Sequence, residues 1–455
     1  MRQTALLADD RVAAIEQLHA ATALYTVDEI VRGLFARVSW PRPGARLLDP
    51  SVGDGAFLAV AVELLLAAEP GLAPAELVRR IRGWEIHAGA CEAAWRRVGA
   101  VLERFGFDPA LARTLVVHDD FLTSGPGDER FELVATNPPY LRFANVPLLL
   151  RAEYERVIAD WARNDLLHSF LARCAEALTD DGDMALVAAD RFLFNSSCAR
   201  LRAVLGETLG VAHLSRLDAS TAFYRPKERR RRSAPRIHPV EVVLSTKALA
   251  RLSATPLYPD AAPECAGVAL ESISTVRIAP WVGPPGVFVV HGDVAERIDG
   301  ADLVPAIDTD DLQPDGSVRA PWRCVIRTEA AIEPPPAVRT HLERTRHRMP
   351  ERARLRKDAW WLPPERIDTL DRSAPVIVIP RIATDLKAYV VPAGVLPINH
   401  NLTIVSPCGV DLEVLRRAIT ADAPRAWVRA RAPRLENGYL SITTTLLRQL
   451  PVELD

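Results

Sequence analysis

Between about residue 45 and residue 250, short apolar runs alternate with longer stretches whose apolar residues recur at helical spacing. Arg46-Leu-Leu-Asp49, Ile81–Ile86, Thr114–Val117, Phe131–Thr136, Met184–Ala189, Val211–Leu217 and Val240–Ser245 have the length and apolar content of buried strands. Ala56–Ala68, Pro74–Arg80, Ala88–Phe105, Leu166–Leu178 and Ser197–Leu205 read as helices, and Asp181-Gly182 as a turn. Strands alternating with helices predict β-α-β units. The expected fold is therefore α/β, a doubly wound, mostly parallel seven-stranded sheet with helices on both faces.

The texture changes near residue 250. Proline becomes dense (Pro280, Pro284-Pro285, Pro334-Pro335-Pro336, Pro363-Pro364), and strands such as Gly286–Val290 and Val376–Ile379 sit between loops with few helices. A second, loop-rich domain of mixed or β character is expected at 251–455, after a first domain at 1–250. Composition supports two folded domains: of 455 residues 49% are hydrophobic and 25% charged, which disfavours disorder as the main state. A net charge of −2 says nothing by itself about polyanion binding, but arginine clusters locally, which suits a grip on a polyanion in one groove. No two of the six cysteines share a C-x-x-C spacing, so no metal site is expected. Asp9, Asp10 and Arg11 stand where a secretory leader needs an apolar core. Leu58–Ala68 is too short to span a bilayer, which needs about 20 apolar residues. A cytoplasmic protein without membrane contact is the expectation.

Four segments carry chemistry. In Asp49-Pro50-Ser51-Val52-Gly53-Asp54-Gly55-Ala56-Phe57 a glycine loop leaves a strand and enters a helix, the form of a nucleotide-binding turn. A glycine is missing at Leu58, and the Asp49 carboxylate repels a pyrophosphate but suits a cationic ligand. Glu85, with Ile86 after it, closes the next strand, where an acid can hold a ribose diol. Asp120-Phe121 follows the third strand; the carboxylate can accept from an aromatic amine while the ring packs on a base. Each of these has an ordinary structural reading as well, a turn or a solvated loop acid.

Asn137-Pro138-Pro139-Tyr140, directly after Phe131–Thr136, is the most specific segment. An amine on an aromatic ring, or an amide nitrogen, is a poor nucleophile because its lone pair is delocalised. An asparagine oxygen and a backbone carbonyl can both accept from that NH2 and favour a tetrahedral nitrogen with a free lone pair. Two prolines fix the carbonyl of Pro138, and Tyr140 offers a face for stacking.

The ordered set resembles the class I methyltransferases, and specifically the gamma group of N6-adenine DNA methyltransferases with an N-P-P-Y motif, found in restriction–modification systems. Leu24-Tyr25-Thr26-Val27 matches that group's first element, with Val27 where proline is usual. The resemblance covers roughly residues 20–245 and implies S-adenosylmethionine as methyl donor. It implies that Tyr25, Thr26, Asp49, Pro50, Gly53, Gly55, Phe57, Glu85, Ile86, Asp120, Phe121 and Asn137 bind that cofactor. Catalysis falls to Asn137, Pro138 and Tyr140, and a flipped-out adenine is stacked by Tyr140 and Phe223, with Tyr224 competing for the second place. Residues 1–250 become the cofactor-binding catalytic domain and 251–455 the target-recognition domain.

Double-stranded DNA is the expected partner. Seven of the twelve residues from Arg225 to Arg236 are basic, and a second cluster runs from Arg344 to Lys357 into Trp360-Trp361. Arg229, Arg230, Arg231, Arg232, Arg346, Arg348 and Arg354 are the expected backbone contacts, against the reading of a solvated loop. Asp385-Leu-Lys387 has a nuclease-like acid-x-Lys form, but the nearest upstream Pro-Asp is Pro314-Asp315, and 24 residues before Tyr25 leave no room for a further domain. The expectation is a monomeric methylase without cleavage activity, working with a separate restriction endonuclease or defence subunits. The alternatives are an RNA or protein-glutamine amine methyltransferase, and a non-catalytic DNA-binding subunit of a defence complex.

Overall fold

The computed structural model describes residues 2–224, 238–260, 264–319, 323–349, 359–399, 401–406, 409–435 and 438–454. The expected contacts Arg229, Arg230, Arg231, Arg232 and Arg354 lie outside them. The chain divides into two compact units, 1–260 and 261–455.

The first unit opens with α1 (Arg2–Thr22), β1 (Tyr25–Thr26) and α2 (Asp28–Phe35). Then come β2 (Leu47–Asp49), α3 (Ala56–Ala68), α4 (Pro74–Arg80), β3 (Ile81–Glu85), α5 (Ala88–Arg104), α6 (Ala112–Leu115), β4 (Val116–His118) and β5 (Phe131–Thr136). After the motif turn follow α7 (Leu148–Val157), α8 (Leu166–Glu176), β6 (Leu178–Ala189), α9 (Arg191–Phe194), α10 (Ala199–Gly206), β7 (Gly210–Arg216), α11 (Ala219–Ala222), β8 (Phe223–Tyr224) and β9 (Pro239–Ser245). The seven-stranded sheet has the order β4-β3-β2-β5-β6-β9-β7, and β9 alone runs antiparallel to its two neighbours. Order reverses beside β2, so the carboxyl ends of β2 and β5 face a switch point, where ligands collect in open α/β sheets.

Two apolar layers enclose the sheet. On one side Leu47, Leu58, Ala61, Leu65 and Val98 are wholly buried; on the other Leu48, Val134, Leu171, Leu186 and Val242. Adjacent residues of one strand serve opposite layers because side chains alternate across a strand.

Two local expectations are corrected. Thr114 and Leu115 belong to α6, which carries Leu115 into the core before β4 begins. Asp181-Gly182 is no turn between elements: β6 runs through it, with a register irregularity opposite Phe131–Leu133 absorbing the extra residues. The segment before Tyr25 is a 21-residue helix that packs Ala14 and Leu18 with Leu150 and Tyr154 of α7.

The second unit contains two four-stranded sheets. One joins Thr275–Ile278, Leu402–Val405, Val376–Ile379 and Tyr389–Val391, all antiparallel. The other joins Val289–His291, Arg323–Arg327, Asp302–Ile307 and Leu396–Pro397. The strand expected at Gly286–Val290 starts only at Val289, because Gly286 turns the chain at φ +84°. Helices are more frequent than the proline content suggests, at Pro336–Thr345, Leu412–Thr420 and Asp422–Arg431. Pro336 and Pro424 sit in the first turns of these helices, which leaves the helix interiors intact, while Pro305 lies inside the strand Asp302–Ile307.

Candidate active site

The chain leaves β2 at Asp49 and enters α3 at Ala56 through a turn with Gly53 at φ +59° and Gly55 at φ +93°. A Cβ at Gly53 would stand 3.2 Å from the Tyr25 ring, so glycine keeps that corner open. Gly55 does something else. A Cβ there would meet Ala94 Cα at 3.0 Å, so this glycine lets α3 pack on α5. Gly55 does not reach the cavity wall, and neither does Asp49, which is wholly buried beneath the loop with its Oδ1 accepting the Ser51 N–H at 3.2 Å.

The cavity at the switch point holds about 890 Å³ of empty space including its open mouth. Tyr25, Thr26, Pro50, Gly53, Phe57, Glu85, Ile86, Asp120, Phe121, Asn137, Pro138 and Tyr140 all line it. Five segments expected from sequence to act together thus share one wall. Phe223, like Asp49 and Gly55, is not on it. β8 pairs with β1, placing Tyr224 opposite Tyr25 and Phe223 opposite Thr26, but Phe223 is 8% exposed and packs in the core rather than on the cavity wall. Tyr224 is likewise engaged, its hydroxyl donating to Asp54 and its ring edge meeting Tyr25 at 5.7 Å.

Asn137 is where the segments are knitted together. Its Nδ2 donates to Leu24 O and Thr26 Oγ1, both at 3.1 Å, and its Oδ1 accepts from the Tyr140 hydroxyl, which also reaches Val187 O at 2.8 Å. Both NH2 protons are used on the β1 side, so the amide orientation is fixed and the oxygen keeps a second lone pair. Ser51 ties the glycine loop to the same turn, through Thr136 Oγ1 at 2.8 Å and Asn137 O at 3.2 Å.

Electrostatically the wall is acidic. Asp54, Glu85, Asp119 and Asp120 line it, and no lysine or arginine does among the described residues. Burial pushes the carboxyls of Asp49 and Glu85 up to about 7 and that of Asp120 up to about 6. Glu85 is held by the N–H groups of Gly53 and His87, both at 2.8 Å, and Asp120 by Leu122 N at 3.0 Å and the Tyr154 hydroxyl. Trp84 and Phe170 flank Phe121, at 5.9 Å in each case, and both line the cavity.

Sequence reasoning missed Leu18, His19 and Thr22 from α1, Tyr154 from α7 and Phe170 from α8, all on the wall. Within α1 the i, i+4 pair Ala14 and Leu18 was the available signal for a buried face, diluted by alanines on every side. Of the expected backbone contacts in the second unit, Arg348 is exposed and Arg346 lies over the Trp360 ring at 4.8 Å. Trp360 and Trp361 pack on the core of that unit, so the aromatic pair is internal packing. Asp385 is taken up by Arg425 and Arg429.

Residues 108–223 match the family model described as Eco57I restriction-modification methylase. Over 98% of its length the chain is 27% identical to the Type II methyltransferase M.PaeR7I of Pseudomonas aeruginosa, spanning 88% of that protein. To the Type II methyltransferase M.XhoI of Xanthomonas vasicola it is 31% identical over 44% of this chain and 39% of the relative. The Type IIL restriction-modification enzyme MmeI, solved in complex with DNA, shares the fold at a TM-score of 0.61 and 12% identity, covering 97% of this chain; the chain spans 65% of that one. The chain is accordingly a relative of the restriction–modification methyltransferases, and its motif order fits their gamma-group, N6-adenine type.

Proposed function

We propose that this chain is a site-specific DNA methyltransferase that transfers a methyl group from S-adenosylmethionine to N6 of a flipped-out adenine, within a restriction–modification or related defence system. The observation that carries the reading is the placement of Asn137, Pro138 and Tyr140 on the same cavity wall as Gly53, Glu85 and Asp120. The donor set fits the cofactor. Glu85 suits its ribose diol, Asp120 with Phe121 its adenine, and the acidic wall its positive sulfur. When bound, it supplies an electrophilic methyl carbon.

The chain's own part is to hold and prepare the acceptor. Asn137 Oδ1, oriented by Tyr140, and the carbonyl of Pro138 accept the two N–H groups of the target amine. This draws the nitrogen toward tetrahedral geometry and frees its lone pair. After transfer the methylated amine is acidic, so its proton passes to water without a strong base in the site. Burial keeps the Tyr140 hydroxyl protonated, pushing it well above its ordinary range, so it stays a donor. The ring of Tyr140 stacks on the extruded base. Phe223 would have to leave its core packing to join it, so we assign it no such role. Arg346 and Arg348 in the second unit, together with Arg229–Arg232 and Arg354, contact phosphates, and residues 261–455 read the target sequence.

Incubation with labelled cofactor and duplex DNA, RNA or total protein tests the reading. N6-methyladenine in DNA at one recurring sequence is the expected product. Label confined to RNA or protein, or none at all, overturns it.

A further inference from the structure

Two histidines outside the recognised motifs close the cavity on the α1 side. His19, in the last turn of α1, and His87, two residues after Glu85, lie ring on ring at 3.6 Å with their planes 3° apart. Both line the cavity, where among the described residues they are the only basic side chains. His87 Nδ1 accepts the Ala90 N–H at 3.0 Å, so its ring proton sits on Nε2, which donates to Glu16 of α1 at 2.8 Å. The backbone N–H of the same residue donates to Glu85 Oε1. His19 Nε2 lies 3.0 Å from the Tyr25 hydroxyl. The stack therefore joins the acid assigned to the ribose, through His87, to the Tyr25 segment implied to bind the same cofactor, through His19. It also pins α1 over both. Arg11 of α1 adds a second clip beside Asp120, at 3.8 Å, and Glu153, at 3.4 Å.

We propose that His19 and His87 are positioning residues that act as one unit to shape the cofactor site, so that α1 is part of that site. The inference rests on the methyl-transfer reading above. A stacked pair orients two distant contacts at once, and losing either ring releases both. The effects of the two substitutions should therefore overlap rather than multiply.

The test is calorimetric binding of S-adenosylmethionine to the full chain, with steady-state kinetics on duplex DNA. His19→Ala and His87→Ala should each weaken cofactor binding roughly tenfold, the scale of an aromatic pair with its hydrogen bonds. The double variant should lose little more than either single. The cofactor KM should rise while kcat at saturating cofactor and the KM for DNA hold, a split that general loss of structure does not give. His19→Phe keeps a stacking ring and should recover part of the affinity, which guards against a folding artefact. Unchanged affinity in the single variants, multiplicative losses in the double, or a fall in kcat alone overturns the positioning role while leaving the methyl-transfer reading intact. Failure of the wild-type chain to bind the cofactor, with or without DNA, overturns both.

Discussion

In the first unit Asp49 and Glu85 are buried at the head of the sheet with no lysine or arginine bonded to them among the described residues, and their carboxyls are pushed up to about 7. In the second unit the buried Asp311 meets Arg323 at 2.9 Å, and Asp385 is held by Arg425 and Arg429. Burial alone would raise Asp385, but its arginine partners bring it below the usual range. An acid that is desolvated and left without a cation costs stability. It persists where something else completes it. In the second unit Asp311 and Asp385 are closed by arginines, whereas Asp49 and Glu85 are not, so the Asp385-Leu-Lys387 segment that resembles a nuclease motif is taken up in ion pairs.

The contrast is broken most directly by removing one guanidinium. Arg323→Met leaves Asp311 buried and uncompensated and should cost about 3–5 kcal/mol of stability, read by denaturant unfolding, while any protein that folds retains its affinity for the cofactor. Asn137→Ala should do the reverse. The loss of an acceptor aimed at the reacting amine should lower kcat by about 10²–10³-fold, a larger effect than the one on cofactor affinity or melting temperature from losing its hydrogen bonds to Leu24 and Thr26. Retained activity would refute the role assigned to Asn137. Tyr140→Phe is milder: the ring stays, the Asn137 oxygen loses its tether, and kcat should fall on the order of tenfold with little change in stability. A Tyr140→Phe enzyme as slow as Asn137→Ala would mean that the hydroxyl touches the acceptor itself.

The sheet was legible in the sequence because each of its strands is a short apolar run closed by a polar or glycine-containing turn, and such periodicity is local. The cavity was legible because its motifs follow in order at strand ends, where a parallel sheet must bring them together. What escaped was non-local. β1 and β8 are two residues each and pair across most of the first unit, which no pattern in either segment announces. α1 is alanine-rich, so its cavity face is not distinguished by hydrophobicity, and His19 gains meaning only opposite His87. Gly55 resembled a ligand-contacting glycine, yet its neighbour is Ala94 of another helix. Phe223 was placed by analogy of position, and it belongs instead to a buried apolar cluster of the first unit.

The last test addresses the acids buried at the head of the sheet. In the unfolded chain aspartate and glutamate ionise near pH 4. In the native protein Asp49 and Glu85 hold their protons to about 7 and Asp120 to about 6. Between these limits the unfolded state binds fewer protons than the native state, so stability falls as pH rises through the window and levels off above it. The melting temperature of the ligand-free protein should drop between about pH 5 and about pH 8. Asp49→Asn should recover part of that drop at the higher pH and change nothing at the lower, where the native carboxyl is already neutral. A cationic ligand favours the ionised acids, so the rise in melting temperature on adding S-adenosylmethionine should grow across the same window. The corresponding substitution in the second unit, Asp385→Asn, should destabilise at both pH values, because it strips two guanidiniums of their partner. If both variants respond alike, the distinction between acids buried without a guanidinium and acids committed to ion pairs fails.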